Sequence, residues 1–167
     1  MIDTTPNCIM NNAQAKEKLH RMGLQIQEDA IDGTNIVLVG LNSRGFFIAK
    51  LLHKILLDAL PNNIFLINLT INNSNAMLPH SMGNNVLYNQ QVIIIDDVAN
   101  TGRSFAYAMY ALLPSNCLSI KTLALVERSH KLFPIKVNYK GLSISTTLQE
   151  HIEMKIGNNE KITVNLY

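Results

Sequence analysis

Two adjacent carboxylates and a short glycine turn follow the most hydrophobic run of the chain. Asp96 and Asp97 come directly after the apolar residues 92–95, and residues 101–104 then read Thr-Gly-Arg-Ser. Open α/β sheets bind ligands at the carboxyl ends of buried strands of this kind. A Thr-Gly turn that opens a helix offers free N–H groups and a positive dipole to an anion such as phosphate.

The chemistry of this segment predicts a binding loop for a sugar phosphate. Carboxylates only accept hydrogen bonds, so Asp96 and Asp97 suit the hydroxyls of a ribose. The hydroxyls of Thr101 and Ser104 can donate to phosphate oxygens, and Gly102 lets the backbone approach closely. The ordinary alternative is a strand-to-helix turn in which Asp97 caps the helix and Asp96 is solvated. The predicted loop consists of Asp96, Asp97, Val98, Ala99, Asn100, Thr101, Gly102, Arg103 and Ser104.

Alternating helix and strand patterns predict that a parallel sheet positions this loop. Ala15, Leu19, Met22 and Ile26 mark one apolar face of a helix over about residues 11–31. Continuous apolar runs predict strands that are buried on both faces. The predicted order is strand 36–40, helical spacing at 48–56, strand 64–69, an Asn-rich loop 71–91, strand 92–95, helix 103–113 and strand 119–126.

The last part of the chain has a different pattern. Short alternating apolar segments without helical signals occur at 135–139, 142–144, 152–156 and 162–166. They predict a small β hood over about residues 128–167. A chain of 167 residues is long enough for one substantial core. We therefore expect a single domain over residues 1–167.

Composition restricts the class of protein. Hydrophobic residues make up 47% of the chain and charged residues 16%, and the formal net charge is +2. A membrane span of about 18 consecutive apolar residues is absent from the sequence, and the N-terminus lacks the pattern of a secretory signal. We expect a soluble cytoplasmic protein that does not bind membranes. The small net charge does not by itself predict binding to nucleic acid.

Two further segments support a resemblance to a known family. Residues 38–45 read LVGLNSRG, and residues 125–136 read LVERSHKLFPIK. With the acid pair and the Thr-Gly turn, they resemble the type I phosphoribosyltransferases over most of the chain. Within that family, the sequence is most similar to the pyrimidine operon attenuation regulators that are also uracil phosphoribosyltransferases. The resemblance implies an α/β fold, with a central parallel sheet flanked by helices and a small C-terminal β hood.

The resemblance also implies roles for individual residues. Arg44 would face the diphosphate of phosphoribosyl pyrophosphate, to which a planar guanidinium offers several donors. Asp96 and Asp97 would act with it as catalytic residues and would hold Mg²⁺ through water. The implied pyrophosphate loop is Leu41, Asn42, Ser43 and Arg44, and the implied base-binding residues are Val126, Arg128 and His130.

Each of these roles has a simpler alternative. Arg44 could only begin a helix on a solvated face, and His130 could be a surface or structural histidine rather than a catalytic base. Lys131, Lys136 and Lys140 follow Arg128 within a short stretch. In the regulator relatives a basic surface of the dimer contacts messenger RNA, but three lysines in such a stretch are also typical of a solvated face.

The sequence departs from the family pattern at two places. The regulators carry an acidic and arginine-containing stretch on a flexible loop that closes over pyrophosphate, whereas residues 69–76 here read LTINNSNA. No arginine occurs between Arg44 and Arg103. Asn100 stands where purine phosphoribosyltransferases have an acidic base, which disfavours deprotonation of a purine.

The combined interpretation is an enzyme of nucleotide synthesis. We expect Mg²⁺-dependent transfer of ribose 5-phosphate from phosphoribosyl pyrophosphate to a pyrimidine base, namely uracil, giving UMP and pyrophosphate. Two alternatives stay open, which are an RNA-binding attenuator of pyrimidine genes and a nucleotide-binding paralogue with little turnover. Expected partners are phosphoribosyl pyrophosphate, the base or UMP, RNA only weakly, and further copies of the chain in a homodimer or larger homo-oligomer.

Overall fold

The computed structural model describes residues 6–60, 63–72, 75–78, 85–147 and 150–167. Strands and helices alternate through most of this part of the chain. The strands are β1 (Asn7–Met10), β2 (Ile36–Leu41), β3 (Ile64–Asn72), β4 (Asn75–Met77), β5 (Gln91–Ala99), β6 (Ser119–Arg128), β7 (Tyr139–Ile144), β8 (Ile152–Ile156) and β9 (Ile162–Leu166). The α-helices are α1 (Asn12–Glu28), α2 (Asn42–Leu57) and α3 (Arg103–Leu112).

The main sheet has six strands in the order β4-β3-β2-β5-β6-β7. Neighbouring strands from β3 to β7 pair in parallel, and β4 pairs antiparallel with β3 as a hairpin. Strand β5 therefore lies at the centre, between β2 and β6. The carboxyl ends of β2, β5 and β6 meet at one edge of the sheet.

Helices cover both faces of this sheet, which explains the apolar character of its central strands. Leu19 of α1 and Leu52 of α2 pack with alternate residues of β2, β5 and β6 in one core cluster. Phe105 and Leu112 of α3 pack in a second cluster, with the remaining alternate residues of the same strands. Strands that are buried on both faces read as continuous apolar runs, so the prediction of a parallel α/β sheet is confirmed.

The first helix matches its predicted apolar face. Ala15, Leu19, Met22 and Ile26 are all buried. A capping box fixes its start, because the side chain of Asn11 accepts from the Gln14 N–H and the Gln14 side chain accepts from the Asn11 N–H. The helix ends at Glu28, slightly before the predicted end at residue 31.

The small β layer differs from the predicted hood in the strands that form it and in the residue at which it starts. It is a three-stranded antiparallel sheet in the order β1-β9-β8, so one of its strands comes from the N-terminus. The expected start at residue 128 is too early, because β7 pairs with β6 and extends the main sheet. Of the predicted segment 135–139, only Tyr139 lies in a strand.

The segment predicted as one long loop over 71–91 is partly ordered into strands. Strand β3 continues to Asn72, and β4 returns antiparallel beside its end. Residues 73–74 and 79–84 of the predicted loop lie outside the described residues. Within the described ranges, no helix is long and apolar enough to span a membrane.

Candidate functional site

The acid pair lies near the carboxyl end of the central strand. Strand β5 extends through Ala99, so Asp96 and Asp97 belong to the strand rather than to the loop after it. Asp97 is buried, with 9% of its surface exposed, and its N–H donates to Asp96 Oδ1 at 3.0 Å. The two carboxylates are thus held side by side with little solvent around them.

This arrangement affects the protonation of Asp96. Burial raises its pKa well above the usual value, and the adjacent charge of Asp97 raises it further, while Arg44 partly opposes both effects. Two neighbouring carboxylates in a poorly solvated site repel each other. A cation, or donors from a ligand, would therefore bind here favourably.

A close contact of two backbone segments brings Arg44 to the acid pair. A Cβ atom at Gly45 would lie 2.4 Å from the Ile95 carbonyl oxygen, so only glycine lets the start of α2 approach β5 this closely. The Arg44 guanidinium lies 3.8 Å from Asp97 Oδ2. It also lies 3.1 Å from Glu153 Oε1 of β8. Arg44 thus begins a helix but points into the cleft.

The predicted pyrophosphate loop connects β2 to α2. Asn42 has a left-handed backbone conformation with φ 52°, which asparagine tolerates better than most residues. Its side-chain oxygen accepts a hydrogen bond of 2.9 Å from the Ile71 N–H of β3. The first turn of α2 therefore opens toward the same strand ends as the acid pair.

The Thr-Gly turn after β5 forms a small cradle at the start of α3. Gly102 has φ +84°, a conformation that favours glycine, and precedes the first residue of α3. The Arg103 N–H is capped by Thr101 Oγ1 at 3.2 Å, whereas the N–H groups of Ser104 and Phe105 have no acceptor among the described residues. Both residues line a cavity of about 50 Å³. Asp97 does not cap this helix, so the simpler alternative for the turn does not hold.

The loop after β6 fixes the cradle from outside. The N–H groups of Leu132 and Phe133 both donate to the Thr101 carbonyl, at 3.1 and 3.0 Å. The Arg103 guanidinium lies over the Phe133 ring, 5.4 Å from its centroid. The shape of the cradle therefore depends on contacts about thirty residues away in sequence, which the motif alone does not reveal.

A larger cavity of about 330 Å³ joins these parts into one cleft. It contains the acid pair, the pyrophosphate loop and part of the segment after β5. Two of its residues were missed by sequence reasoning, because no local motif marks them: Ile152 is the first residue of β8 and His151 directly precedes it. Its lining residues are Leu41, Asn42, Ser43, Arg44, Asp96, Asp97, Val98, Asn100, Ser104, His151 and Ile152.

The three residues predicted to lie near the base have different surroundings. Val126 is fully buried in the core, so only its backbone could meet a ligand. His130 is exposed in the loop after β6. Neither Val126 nor His130 lines either of the two cavities. Arg128 instead reaches back across the strand ends, where its Nη1 donates to Asn100 Oδ1 at 2.9 Å.

A buried ion-pair cluster anchors the loop that supports the cradle. Glu127 is 5% exposed and binds Lys131 Nζ at 2.5 Å and Lys140 Nζ at 2.6 Å. Burial acts to raise the pKa of Glu127, but the hydrogen bonds and charges of the two lysines hold it below its usual value. The pairing therefore stabilises the fold above pH 4.5, and this contribution is lost as the pH falls through the lowered pKa.

Replacing Lys131 by Met is expected to lower the free energy of unfolding by about 3 kcal/mol, because the Lys131 side chain is itself only 12% exposed and both charges of its pair with Glu127 are poorly solvated. The matched control is Lys140→Met, whose side chain is 48% exposed. A more solvated pair is worth less, so this control should cost under about 1 kcal/mol. Urea unfolding followed by circular dichroism measures both values. Equal losses would show that burial does not decide the strength of these pairs.

Comparison with known proteins identifies the family of the chain. The family model described as the phosphoribosyl transferase domain matches residues 7–156. The chain belongs to this family. The relatives include the bifunctional protein PyrR of Listeria monocytogenes serotype 4a, 28% identical over 89% of this chain and 88% of that protein. PyrR of Bacillus cereus strain AH820 is 30% identical, over 89% of both chains.

Two solved structures with the same fold are hypoxanthine phosphoribosyltransferases. The hypoxanthine phosphoribosyltransferase of Trypanosoma cruzi has a TM-score of 0.75 and covers 95% of both chains at 14% identity. A hypoxanthine phosphoribosyltransferase of Staphylococcus aureus has a TM-score of 0.71 at 16% identity and covers 85% of this chain and 80% of its own. At this identity the likeness establishes the fold, and the predicted type I phosphoribosyltransferase fold is confirmed.

Proposed function

We propose that the chain is a single phosphoribosyltransferase domain that transfers ribose 5-phosphate from phosphoribosyl pyrophosphate to uracil. The observation that supports this most directly is the order of groups along one cleft. The anion cradle of α3, the acid pair of β5 and the Arg44 guanidinium follow one another across the strand ends. This order matches the 5-phosphate, ribose hydroxyls and diphosphate of the donor.

The proposed reaction is a displacement at C1 of the ribose. A ring nitrogen of the base forms the new bond while the bond from C1 to the diphosphate oxygen breaks, and the N–H proton of the base is released. Negative charge builds on the departing diphosphate. In this proposal Arg44 stabilises that charge with its guanidinium donors, which is an electrostatic form of catalysis that needs no covalent intermediate.

The acid pair also fits a magnesium ion. Carboxylate oxygens are the protein ligands that Mg²⁺ prefers, and it keeps several waters when bound together with substrate phosphates. The described residues contain no cluster of three or more acidic, histidine or cysteine side chains that could hold a metal alone. The ion would therefore be shared between Asp96, Asp97 and the substrate. When bound, it supplies positive charge to the diphosphate and relieves the repulsion between the two carboxylates.

The test is formation of UMP and pyrophosphate from labelled phosphoribosyl pyrophosphate with a panel of uracil, cytosine, hypoxanthine and guanine. We expect turnover with uracil, and a loss of about 100-fold or more in Arg44→Ala, the size seen when one donor to a developing anion is removed. Arg21→Ala is the matched control, since Arg21 lies on α1 and binds the Lys140 carbonyl. Preference for a purine would refute the proposed base. Nucleotide binding without turnover would instead show that this chain is a nucleotide-binding paralogue with little turnover. The missing arginine of the loop after β3 would then be a sufficient reason.

Regulation by RNA is a second candidate function, because the relatives at 28 and 30% identity are named bifunctional. The surface after β6 carries less positive charge than the sequence suggests. Lys131 and Lys140 share the single carboxylate of Glu127, which offsets one of the three lysine charges there. The chain also contains no tryptophan that could stack on a base.

Any RNA affinity is therefore expected to be weak and driven by phosphate contacts. Such binding falls by orders of magnitude over a few-fold increase in salt concentration, because bound counterions are released. Filter binding of a pyrimidine-leader hairpin and a scrambled hairpin at two salt concentrations measures this. Tight binding that selects the leader hairpin and persists at the higher salt concentration would make regulation the primary function.

A further inference from the structure

Asn100 and Arg128 form a hydrogen-bonded pair beside the cleft. Asn100 lies in the segment between β5 and α3, and its side chain is exposed at the junction of the two cavities. Arg128 ends the neighbouring strand β6, and its Nη1 donates to Asn100 Oδ1 at 2.9 Å. Its Nη2 donates to the Thr147 carbonyl, which holds the guanidinium in place from the other side.

This pairing fixes which way the Asn100 amide points. Asparagine carries an acceptor oxygen and a donor nitrogen that look alike, and the surrounding hydrogen bonds must decide between them. A guanidinium has only donors, so the group facing Arg128 must be the oxygen. The Asn100 Nδ2 has no acceptor among the described residues, so its N–H groups remain as donors at the cleft.

The strand order tells which part of the substrate lies there. Arg44 follows β2 and Arg128 ends β6, and these strands flank β5 on opposite sides. A displacement at C1 requires the incoming nitrogen to approach from the side opposite the departing diphosphate. If the diphosphate lies at Arg44 and the ribose at Asp96, the base must lie toward the end of β6. Asn100 and Arg128 stand on that side.

We propose that Asn100 Nδ2 donates a hydrogen bond to an oxo group of the nucleobase, and that Arg128 is a positioning residue that holds the amide in this orientation. The inference rests on the proposed function and identifies a side chain that contributes to base recognition. A fixed donor recognises a carbonyl oxygen, which uracil carries. An amino group of a base at the same place would face the N–H groups of Asn100 Nδ2. Both groups are donors, so neither would be paired and the affinity would fall.

Binding of UMP and of ribose 5-phosphate, each measured by calorimetry, tests the inference without requiring turnover. Asn100→Leu has nearly the shape of asparagine but cannot donate, and it should weaken UMP binding about tenfold, the value of one hydrogen bond at a site left unpaired. Ribose 5-phosphate carries no base, so its affinity should change less than about twofold in this variant. Arg128→Met should likewise weaken UMP more than ribose 5-phosphate, because the amide becomes free to rotate.

Ser104→Ala provides the contrast, since Ser104 lies in the phosphate cradle and its loss should weaken both ligands by the same factor. Unchanged UMP affinity in Asn100→Leu, or an equal loss for both ligands, would overturn the role of Asn100 in base recognition. The proposed function fails separately, if the unaltered protein binds UMP no better than ribose 5-phosphate. Melting temperatures of all variants should stay close to that of the unaltered protein, and a large drop in Asn100→Leu would assign the pair to the fold instead.

Discussion

Replacing Asp96 and Asp97 together by Asn is expected to lower turnover of phosphoribosyl pyrophosphate at least 100-fold, or about 2.7 kcal/mol in activation free energy. Both carboxylates would lose the charge that binds Mg²⁺ and the strong acceptors for the ribose hydroxyls. Steady-state rates at several Mg²⁺ concentrations measure the effect. The altered protein should also lose its dependence on Mg²⁺ concentration for donor binding.

The stability of the single variant Asp96→Asn should change in the opposite sense to the activity of the double variant. The folded protein keeps Asp96 at a raised pKa because of burial and the charge of Asp97, so ionised Asp96 opposes folding. As the pH falls through this raised pKa toward the usual 3.8, the folded state takes up the proton first and the free energy of unfolding rises. Asp96→Asn carries no charge, so this rise should be absent from its stability profile.

Urea unfolding of the unaltered protein and of Asp96→Asn, repeated between pH 4 and 8, checks the sign. We expect the two curves to be closest at the acidic end, with the variant as stable as the unaltered protein or more stable at neutral pH. A large loss of stability in the variant would instead give Asp96 a structural role. If the double variant bound phosphoribosyl pyrophosphate as tightly as the unaltered protein, the acid pair would not be part of the binding site.

The second large effect is expected at Gly45, where alanine should destabilise the protein by about 3 kcal/mol through overpacking. The new Cβ would lie 2.4 Å from the Ile95 carbonyl oxygen and 3.2 Å from Asp96 Cα, so backbone must move. The start of α2 would shift away from β5 and carry Arg44 with it. Activity in the surviving folded fraction should therefore fall as well, through a weaker hold on the diphosphate.

Gly157→Ala is the matched control for this change. Its Cβ would lie 3.7 Å from the Lys161 carbonyl oxygen, an ordinary contact, so the free energy of unfolding should change by less than about 0.5 kcal/mol. Thermal melting and denaturant unfolding of both variants give the comparison. If Gly45→Ala behaved like Gly157→Ala, the close approach of α2 to β5 would not be required for the fold.

Several features of the fold follow from the sequence because they depend on local pattern. The apolar face of α1 repeats at helical spacing, and the strand before the acid pair is a continuous apolar run. The Thr-Gly turn can also be predicted, since a left-handed residue before a helix favours glycine. Burial on both faces of a parallel strand leaves a direct mark on composition, so these elements and their order were predictable.

The small β layer shows where local pattern fails. An alternating apolar segment is compatible with many partners, and only long-range pairing decides which sheet it joins. Strand β7 was expected in the hood but pairs with β6, whereas β1 from the N-terminus pairs with β9. The hairpin of β3 and β4 was likewise hidden in an Asn-rich stretch without strong strand signals.

By itself, the sequence determined the chemistry available to the site, namely the acid pair, the anion cradle and the arginine of the loop after β2. Only the tertiary structure decided how these groups are oriented. Glu153 meets Arg44 although they are 109 positions apart, and Arg128 fixes the Asn100 amide across 28 positions. The sequence gives the type of each residue directly. The partner of each hydrogen bond, and therefore its direction, depends on which groups tertiary packing brings within reach.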